Sequence, residues 1–202
     1  DIFCRTIMDY SDEYEKIPAN YKGEMFIEIT SRSFDIELEK GDSLNQMRLI
    51  YNKHLYVSDQ DLKKFHNKNF LTLNNYNKKI IPNLLNGLKI SVDLCNDNEI
   101  KAYVAKSNAP KLNFKKIKFY NSKDYWKSIK TKNQKIIIEK NKFYILKSKE
   151  KILIPNNMAG EMIPYDTGIG DFRVHYAGFF DPGFGNKNGS YAVLEVKTSE
   201  VS

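Results

Sequence analysis

The chain has 202 residues, 41% hydrophobic and 28% charged, which is enough apolar material for a substantial core and too much for an intrinsically disordered segment. Its formal charge of +7 is uneven: residues 63–151 hold 22 Lys against 6 acids (+16), and the remainder holds 10 Lys or Arg against 19 acids (−9). No stretch approaches the roughly 18 apolar residues of a membrane span, and DIFCRTIMDY lacks the basic-then-apolar layout of a signal peptide, so a soluble, cytoplasmic protein with no membrane partner is expected.

Asp1 opens directly into an apolar alternation and Val201-Ser202 ends inside a strand pattern, so the sequence reads as an internal piece of a longer protein. Cys4 and Cys95 lie far apart, with no CxxC and no histidine at ligand spacing, which excludes a disulfide framework and a sequence-encoded zinc cluster. Residues 24–38, EMFIEITSRSFDIEL, alternate apolar and polar side chains and predict two strands with Thr30 to Ser33 between them. Gly41 and Asp42 then turn the chain into LNQMRLIY, a further strand. Ser58 followed by Asp61 resembles a capping box with Asp in place of Glu, and Leu62, Phe65 and His66 form a short amphipathic stripe, predicting a helix of about two turns. The Asn- and Lys-rich stretch from Asn67 to Asn86, ending before Gly87, reads as a connector. LKISVDL, IKAYVAK, KIIIEK, FYILKS and KILIP follow, all short and β-branched or aromatic. The expected fold is therefore mainly β, a sandwich or distorted barrel-like clip in two tandem modules with few short helices.

The Lys-rich middle invites a nucleic-acid reading. However, only four Arg accompany 28 Lys, none of them within 63–151, and the Arg-led, aromatic-interleaved stripe that readout and stacking prefer is missing. The lysines are expected on solvated faces, with no nucleic-acid partner. A short internal echo links IPANYKGEM at 17–25 to IPNNMAGEM at 154–162 through I-P-x-N-x-x-G-E-M, a string that also describes an ordinary turn leading into a strand.

Residues 164–185, PYDTGIGDFRVHYAGFFDPGFG, differ from the rest: they contain no Lys, five Gly, one of the four Arg and one of the three His. Glycines permit close backbone approach to a ligand and the aromatics can wall a flat substrate, although the same composition describes a turn series with Phe179, Phe180 and Phe184 packed inward. Neither GxxxxGK[ST] nor GxGxxG occurs.

RVHYAGFFDPGFG followed by GSYAVLEV resembles the core motif of the dCTP deaminase family, within the trimeric deoxyuridine triphosphatase superfamily, where an A-x-x-x-DPG-x-x-G turn leads into a strand ending in L-E. The counterparts are Ala177, Asp181, Pro182, Gly183, Gly189 and Leu194-Glu195, with a longer loop between Gly183 and Gly189 than in the compact form. SVDL at Ser91 to Leu94 resembles the superfamily's first motif and IPNNMAGEM the approach to its second. Ahead of them, IPANYKGEMFIEITSRSFDIELEKGDSLNQMRL resembles the same turn, strand and final G-x-x-x-x-Q strand, with Glu28 at the place of Glu195 and Gln46 in the last motif. On this resemblance residues 1–55 are the rear part of a first module, 56–86 a short helix and connector, and 87–202 a second module truncated at its C-terminus.

The resemblance implies hydrolytic deamination of dCTP to dUTP and ammonia. Attack at C4 needs water made nucleophilic and a proton delivered to the departing ammonia, and a carboxylate in a water-poor site can do both. The family gives this role to the glutamate of L-E, which makes Glu195 the first candidate and Glu28 the second; the plain alternative for either is a solvent-facing strand position. Zinc deaminases need H-x-E with P-C-x-x-C, and neither string occurs, so the implied chemistry is zinc-free, with Mg2+ carried by the triphosphate. By the same resemblance Tyr176, Ala177 and Gly178 present backbone groups to the pyrimidine edge, and Asp181 buttresses the turn or contacts the sugar. Arg173 suits a triphosphate clamp because its planar fork fits bidentate anions, and His175 titrates near neutrality. The family's R-S-S phosphate motif is replaced by Pro164-Tyr165-Asp166-Thr167. Implied partners are dCTP or related deoxynucleoside triphosphates and further copies of the chain, as a homo-oligomer with a trimeric or pseudo-trimeric arrangement. Alternatives on the same fold are dUTP diphosphohydrolysis, with Asp181 activating water, and a non-catalytic nucleotide-binding regulatory module.

Overall fold

FYILKSKEKI, an apolar and aromatic run of four residues followed by a polar stretch, forms one strand at the centre of the largest sheet. The computed structural model describes residues 2–14, 16–50, 56–163 and 178–197. Among these, β1 (Ile2–Met8), β2 (Met25–Ser31), β3 (Ile36–Glu37), α1 (Asp59–Asn69), β4 (Thr72–Leu73), β5 (Asn83–Leu84), β6 (Leu88–Lys89), β7 (Ile100–Ala105), β8 (Leu112–Asn113), α2 (Ser122–Tyr125), β9 (Trp126–Lys130), β10 (Phe143–Ile152), β11 (Gly160–Glu161), β12 (Phe179–Phe180) and β13 (Ser190–Lys197) follow in chain order. The mainly β expectation is met, and among the described residues no sheet closes into a barrel. Residues 1–49 with 105–126 make one compact unit, and residues 50–104 with 127–202 a second.

In the second unit the strand order is β13-β10-β7-β9, with β4 also paired to β10. Register places Leu146 between Leu194 and Ala102, and Tyr144 between Val196 and Val104, so that apolar and aromatic side chains line up across one face. These six residues are all buried and form the core, with Ile90, Val92, Ile129, Ile136, Ile138 and Met162 packed on them. Each such side chain taken fully out of water contributes about 1.5–3 kcal/mol, which is what holds a sheet of short strands together. Between Lys147 and Lys151 the register of β10 against β13 shifts. There the buried Ser148 hydroxyl accepts from the Ala192 N–H at 2.9 Å and donates to the Glu150 carbonyl at 2.7 Å, substituting for the interrupted ladder.

Several expectations need correction. KIIIEK is not a strand: Ile136 and Ile138 pack half-buried against the core without laddering their backbone. The stretch 67–86 is more than a connector, since it finishes α1 and carries β4 and β5, with Leu71 and Leu73 buried. FYILKS and KILIP merge into the single strand β10. The helix begins where its cap predicts, the Ser58 hydroxyl accepting from the Asp61 N–H, but it runs for 11 residues rather than about two turns. It continues because His66 is buried and its Nδ1 accepts from the Leu71 N–H at 3.1 Å, anchoring the far end.

The first unit is built on an antiparallel ribbon, β1 against β2, in register from Ile2↔Ser31 to Met8↔Met25. A short parallel pair, β3 with β8, lies beside buried Phe34, whose ring meets Tyr125 and Trp126 edge-on at 5.1 Å each. LNQMRLIY, expected as a strand, has no strand among its described residues 44–50, where Met47 and Leu49 are exposed. Its alternation is compatible with a strand, but a strand also needs a partner, and none of the described strands supplies one.

Candidate functional site

The glycine-rich turn is set by local conformation. Gly183, Gly185 and Gly189 have φ of +83°, +81° and +66°, a region that side chains with a Cβ rarely adopt. Gly185 also has the tightest surroundings: a Cβ there would lie 2.1 Å from the Ile152 carbonyl oxygen. The Gly183 N–H donates to the Ile154 carbonyl at 3.0 Å and the Ile154 N–H to the Phe184 carbonyl at 2.9 Å, fastening the turn to the segment that follows β10. Asp181 is exposed, and its backbone carbonyl closes the turn by accepting from the Phe184 N–H at 3.0 Å. Gly178 lies just before β12, and its carbonyl accepts from the Met162 N–H at 2.9 Å. Phe179, Phe180 and Phe184 are half-buried, with Phe180 and Phe184 4.8 Å apart between ring centroids.

From this turn the chain enters β13, which carries Glu195. Ala192, Leu194 and Val196 point to the core, so Glu195 lies on the opposite face, half-buried, with Ile145 of β10 directly across from it. Glu28 is placed differently. On the ribbon of the first unit it stands opposite Arg5, whose Nε donates to Glu28 Oε2 at 2.8 Å and whose Nη2 lies 2.5 Å from the same oxygen. The Arg5 guanidinium is also 5.4 Å from the Phe3 ring centroid and 4.8 Å from that of Tyr14. Gln46 is exposed in the strandless segment 44–50 of the same unit. Thus Gly178, Asp181 and Glu195 belong to the second unit, and Glu28 and Gln46 to the first. Arg173, His175, Tyr176 and Ala177 lie outside the described residues.

Two groupings escape motif reading. One is the Arg5–Glu28 pair, for which the only signal is that Arg is scarce in a chain dominated by Lys. The other is an ion-pair knot around Asp93, the aspartate of SVDL. Lys101 Nζ is 2.9 Å from Asp93 Oδ2 and 2.6 Å from Asp97 Oδ2, and Lys147 Nζ is 3.2 Å from Asp93 Oδ2. The Lys101 and Asp93 side chains are 0% and 1% exposed, so the expectation of uniformly solvated lysines fails at Lys101. Burial alone would raise the Asp93 carboxyl; the bonds from Lys101, the Cys95 N–H and Lys147 outweigh it and hold the pKa at about 2. Burial likewise works against the Lys101 ammonium, yet its bonds to Asp93 and Asp97 carry its pKa upward.

The model of the C-terminal domain of 2'-deoxycytidine 5'-triphosphate deaminase matches residues 58–202, and that of the N-terminal domain matches residues 1–53. No curated protein matches the chain. Among solved structures, the crystal structure of 2'-deoxycytidine 5'-triphosphate deaminase from Agrobacterium tumefaciens is similar, with 33% sequence identity and a TM-score of 0.81 over 99% of this chain. The chain spans 59% of the length of that relative. With both halves matched in order and the fold shared, the chain belongs to the dCTP deaminase family.

Proposed function

We propose that the protein is a dCTP deaminase, and the observation that carries this is the match of both family domains, in order, to residues 1–53 and 58–202. Water adds to C4 of the cytosine ring as the carboxylate takes one of its protons and passes it to N3; the carboxylate then carries the remaining hydroxyl proton to the amino group, the C4–N bond breaks and ammonia leaves, and a C4 carbonyl with a protonated N3 remains, giving dUTP. Glu195 is the first candidate for this carboxylate. Its place on β13, six residues past Gly189 and with apolar Ile145 across the ladder, limits water on one side of the carboxylate. Glu28 is the second candidate, since one of its oxygens is occupied by Arg5. Gly178 and Asp181 would shape the pyrimidine end, together with Arg173, His175, Tyr176 and Ala177, and Gln46 would serve the first module's site. Mg2+ would arrive on the triphosphate, where it needs few protein ligands. Residues 1–55 and 87–202 would be tandem modules joined through 56–86, assembled as a homo-oligomer and working on the cytoplasmic deoxynucleotide pool.

The test is incubation of the full-length protein with dCTP and, separately, with dUTP. Ammonia from dCTP without pyrophosphate is expected; pyrophosphate from dUTP and no ammonia from dCTP would replace deamination with diphosphohydrolysis. Glu195→Gln and Glu28→Gln, made singly, then assign the base: deamination that survives Glu195→Gln and is lost in Glu28→Gln moves the role to the first module.

A further inference from the structure

Within the second unit, a short series of hydrogen bonds joins the end of α1 to the glycine turn. Phe70 leaves the helix at φ +54° and ψ +100°, a backbone conformation that a bulky residue adopts only where its surroundings impose it. His66 holds this exit twice: its carbonyl accepts from the Phe70 N–H at 3.1 Å, and its Nδ1 accepts from the Leu71 N–H at 3.1 Å. The Leu71 carbonyl accepts in turn from the Leu153 N–H at 3.0 Å. One residue further, the Ile154 N–H donates to the Phe184 carbonyl and the Ile154 carbonyl accepts from the Gly183 N–H, the two bonds that fasten the turn. Side chains follow the same route: Leu73 and Leu153 close on Gly189, where a Cβ would meet the end of each at 3.4 Å. His66, Leu71, Leu73 and Ile152 are all buried, so water does not replace a bond lost among them.

We propose that His66 is a positioning residue for the reaction: through Leu71 and Leu153, its imidazole holds the turn at 181–189 in the shape that receives the pyrimidine. This rests on the reading above, in which that turn shapes the pyrimidine end. Nδ1 accepts only while it carries no proton, so the neutral ring keeps its proton on Nε2. Protonating Nδ1 sets two N–H groups against each other across 3.1 Å and leaves the exit at Phe70 with one bond fewer. Burial first, and the charge of Lys79 second, oppose that protonation. Lys79, whose Nζ donates to the Asn67 carbonyl at 3.4 Å, is the charge that acts on the ring among the described residues. The hold is therefore closed at neutral pH and opens in acid.

Amide hydrogen exchange and dCTP kinetics on the full-length protein test this. In His66→Ala the Leu153, Ile154 and Gly183 amides are expected to exchange about tenfold faster than in the wild type, the size of one lost buried hydrogen bond, while the core amides of β7 keep their rates. KM for dCTP should rise by about the same factor, with kcat held within about twofold. His66→Asn keeps an acceptor that does not titrate, and should restore most of both. It also isolates the pH effect: the ratio of wild-type to His66→Asn kcat/KM cancels the titration of the substrate and of the catalytic carboxylate, and should fall about tenfold between about pH 8 and pH 5. The wild type in acid, corrected for the intrinsic pH dependence of exchange, should loosen at the same amides while His66→Asn does not, a comparison that needs no alanine variant. Exchange at Gly183 that rises no more than in β7 overturns the hold of His66 on the turn. Faster exchange there, with KM and the pH ratio both unmoved, overturns instead the assignment of the turn to the pyrimidine.

Discussion

Asp93 and Lys101 illustrate what a buried charge pair demands of its neighbours. Removing the carboxylate leaves an ammonium with 0% exposure facing only partly exposed Asp97 and Glu99, so Asp93→Ala is expected to cost about 3–5 kcal/mol in urea unfolding. Lys101→Met costs less, because Lys147 still reaches Asp93 at 3.2 Å. The same pair sets an acid limit. With a folded pKa near 2 against an ordinary 3.8, Asp93 binds its proton less readily in the folded state, so its stabilisation is present above pH about 4 and disappears as pH falls toward 2. About 2 kcal/mol should be lost over that window in the wild type and not in Asp93→Ala; parallel curves for the two would sink the assignment. Only half of this was legible in the sequence. SVDL marks Asp93, but Lys101 lies eight residues on in a Lys-rich run, and burial of a lysine depends on which carboxylates the fold brings to it. The turn ahead of Glu195 was legible because it is written in glycines, whereas the partner of Glu28, Arg5, lies 23 residues away and is found only through strand register.

Among the elements, α1 and the glycine turn were readable because each is specified locally. Ser58→Ala removes the acceptor of the Asp61 N–H and should cost about 1 kcal/mol, seen as a lower urea midpoint with unchanged slope. At the other end of the helix, His66→Ala leaves the buried Leu71 N–H without its acceptor, a loss of about 1–3 kcal/mol. Burial first, and Lys79 second, push the His66 pKa below its ordinary value. Charging the imidazole is therefore harder in the folded state than in the unfolded one, so its stabilisation is present above about pH 6.5 and eroded as pH falls below it; His66→Ala should flatten that slope. Gly185→Ala is expected to be far more damaging than Gly41→Ala. Both replace a glycine at positive φ, at roughly 1–2 kcal/mol, but only at residue 185 would the new methyl strike backbone, 2.1 Å from the Ile152 carbonyl, while residue 41 has nothing within 4 Å. Equal melting points for the two variants would contradict this. LNQMRLIY and KIIIEK resisted reading for the opposite reason: alternation fixes which side chains share a face, and whether a ladder forms depends on an edge supplied from elsewhere.

Over the whole molecule, the +16 carried by residues 63–151 has no single role. One lysine is buried, Lys111, Lys115 and Lys142 pair with Glu37, Glu39 and Glu139 at 2.5–3.5 Å, and two flank Tyr191. The exposed pairs are worth about 0–1 kcal/mol each, so most of this charge is a field toward polyanions and not a source of stability. A nucleoside triphosphate brings its own Mg2+, which keeps much of its water shell and is held chiefly by phosphate oxygens. On the proposed deamination of dCTP, metal dependence should follow the substrate. At fixed protein, the Mg2+ concentration that gives half-maximal ammonia release should rise in step with dCTP, whereas EDTA should leave the unfolding midpoint of the substrate-free protein where it was. A bound structural metal stabilises the folded state by mass action, so a midpoint that falls on chelation would place a metal within the fold and refute the assignment of Mg2+ to the nucleotide.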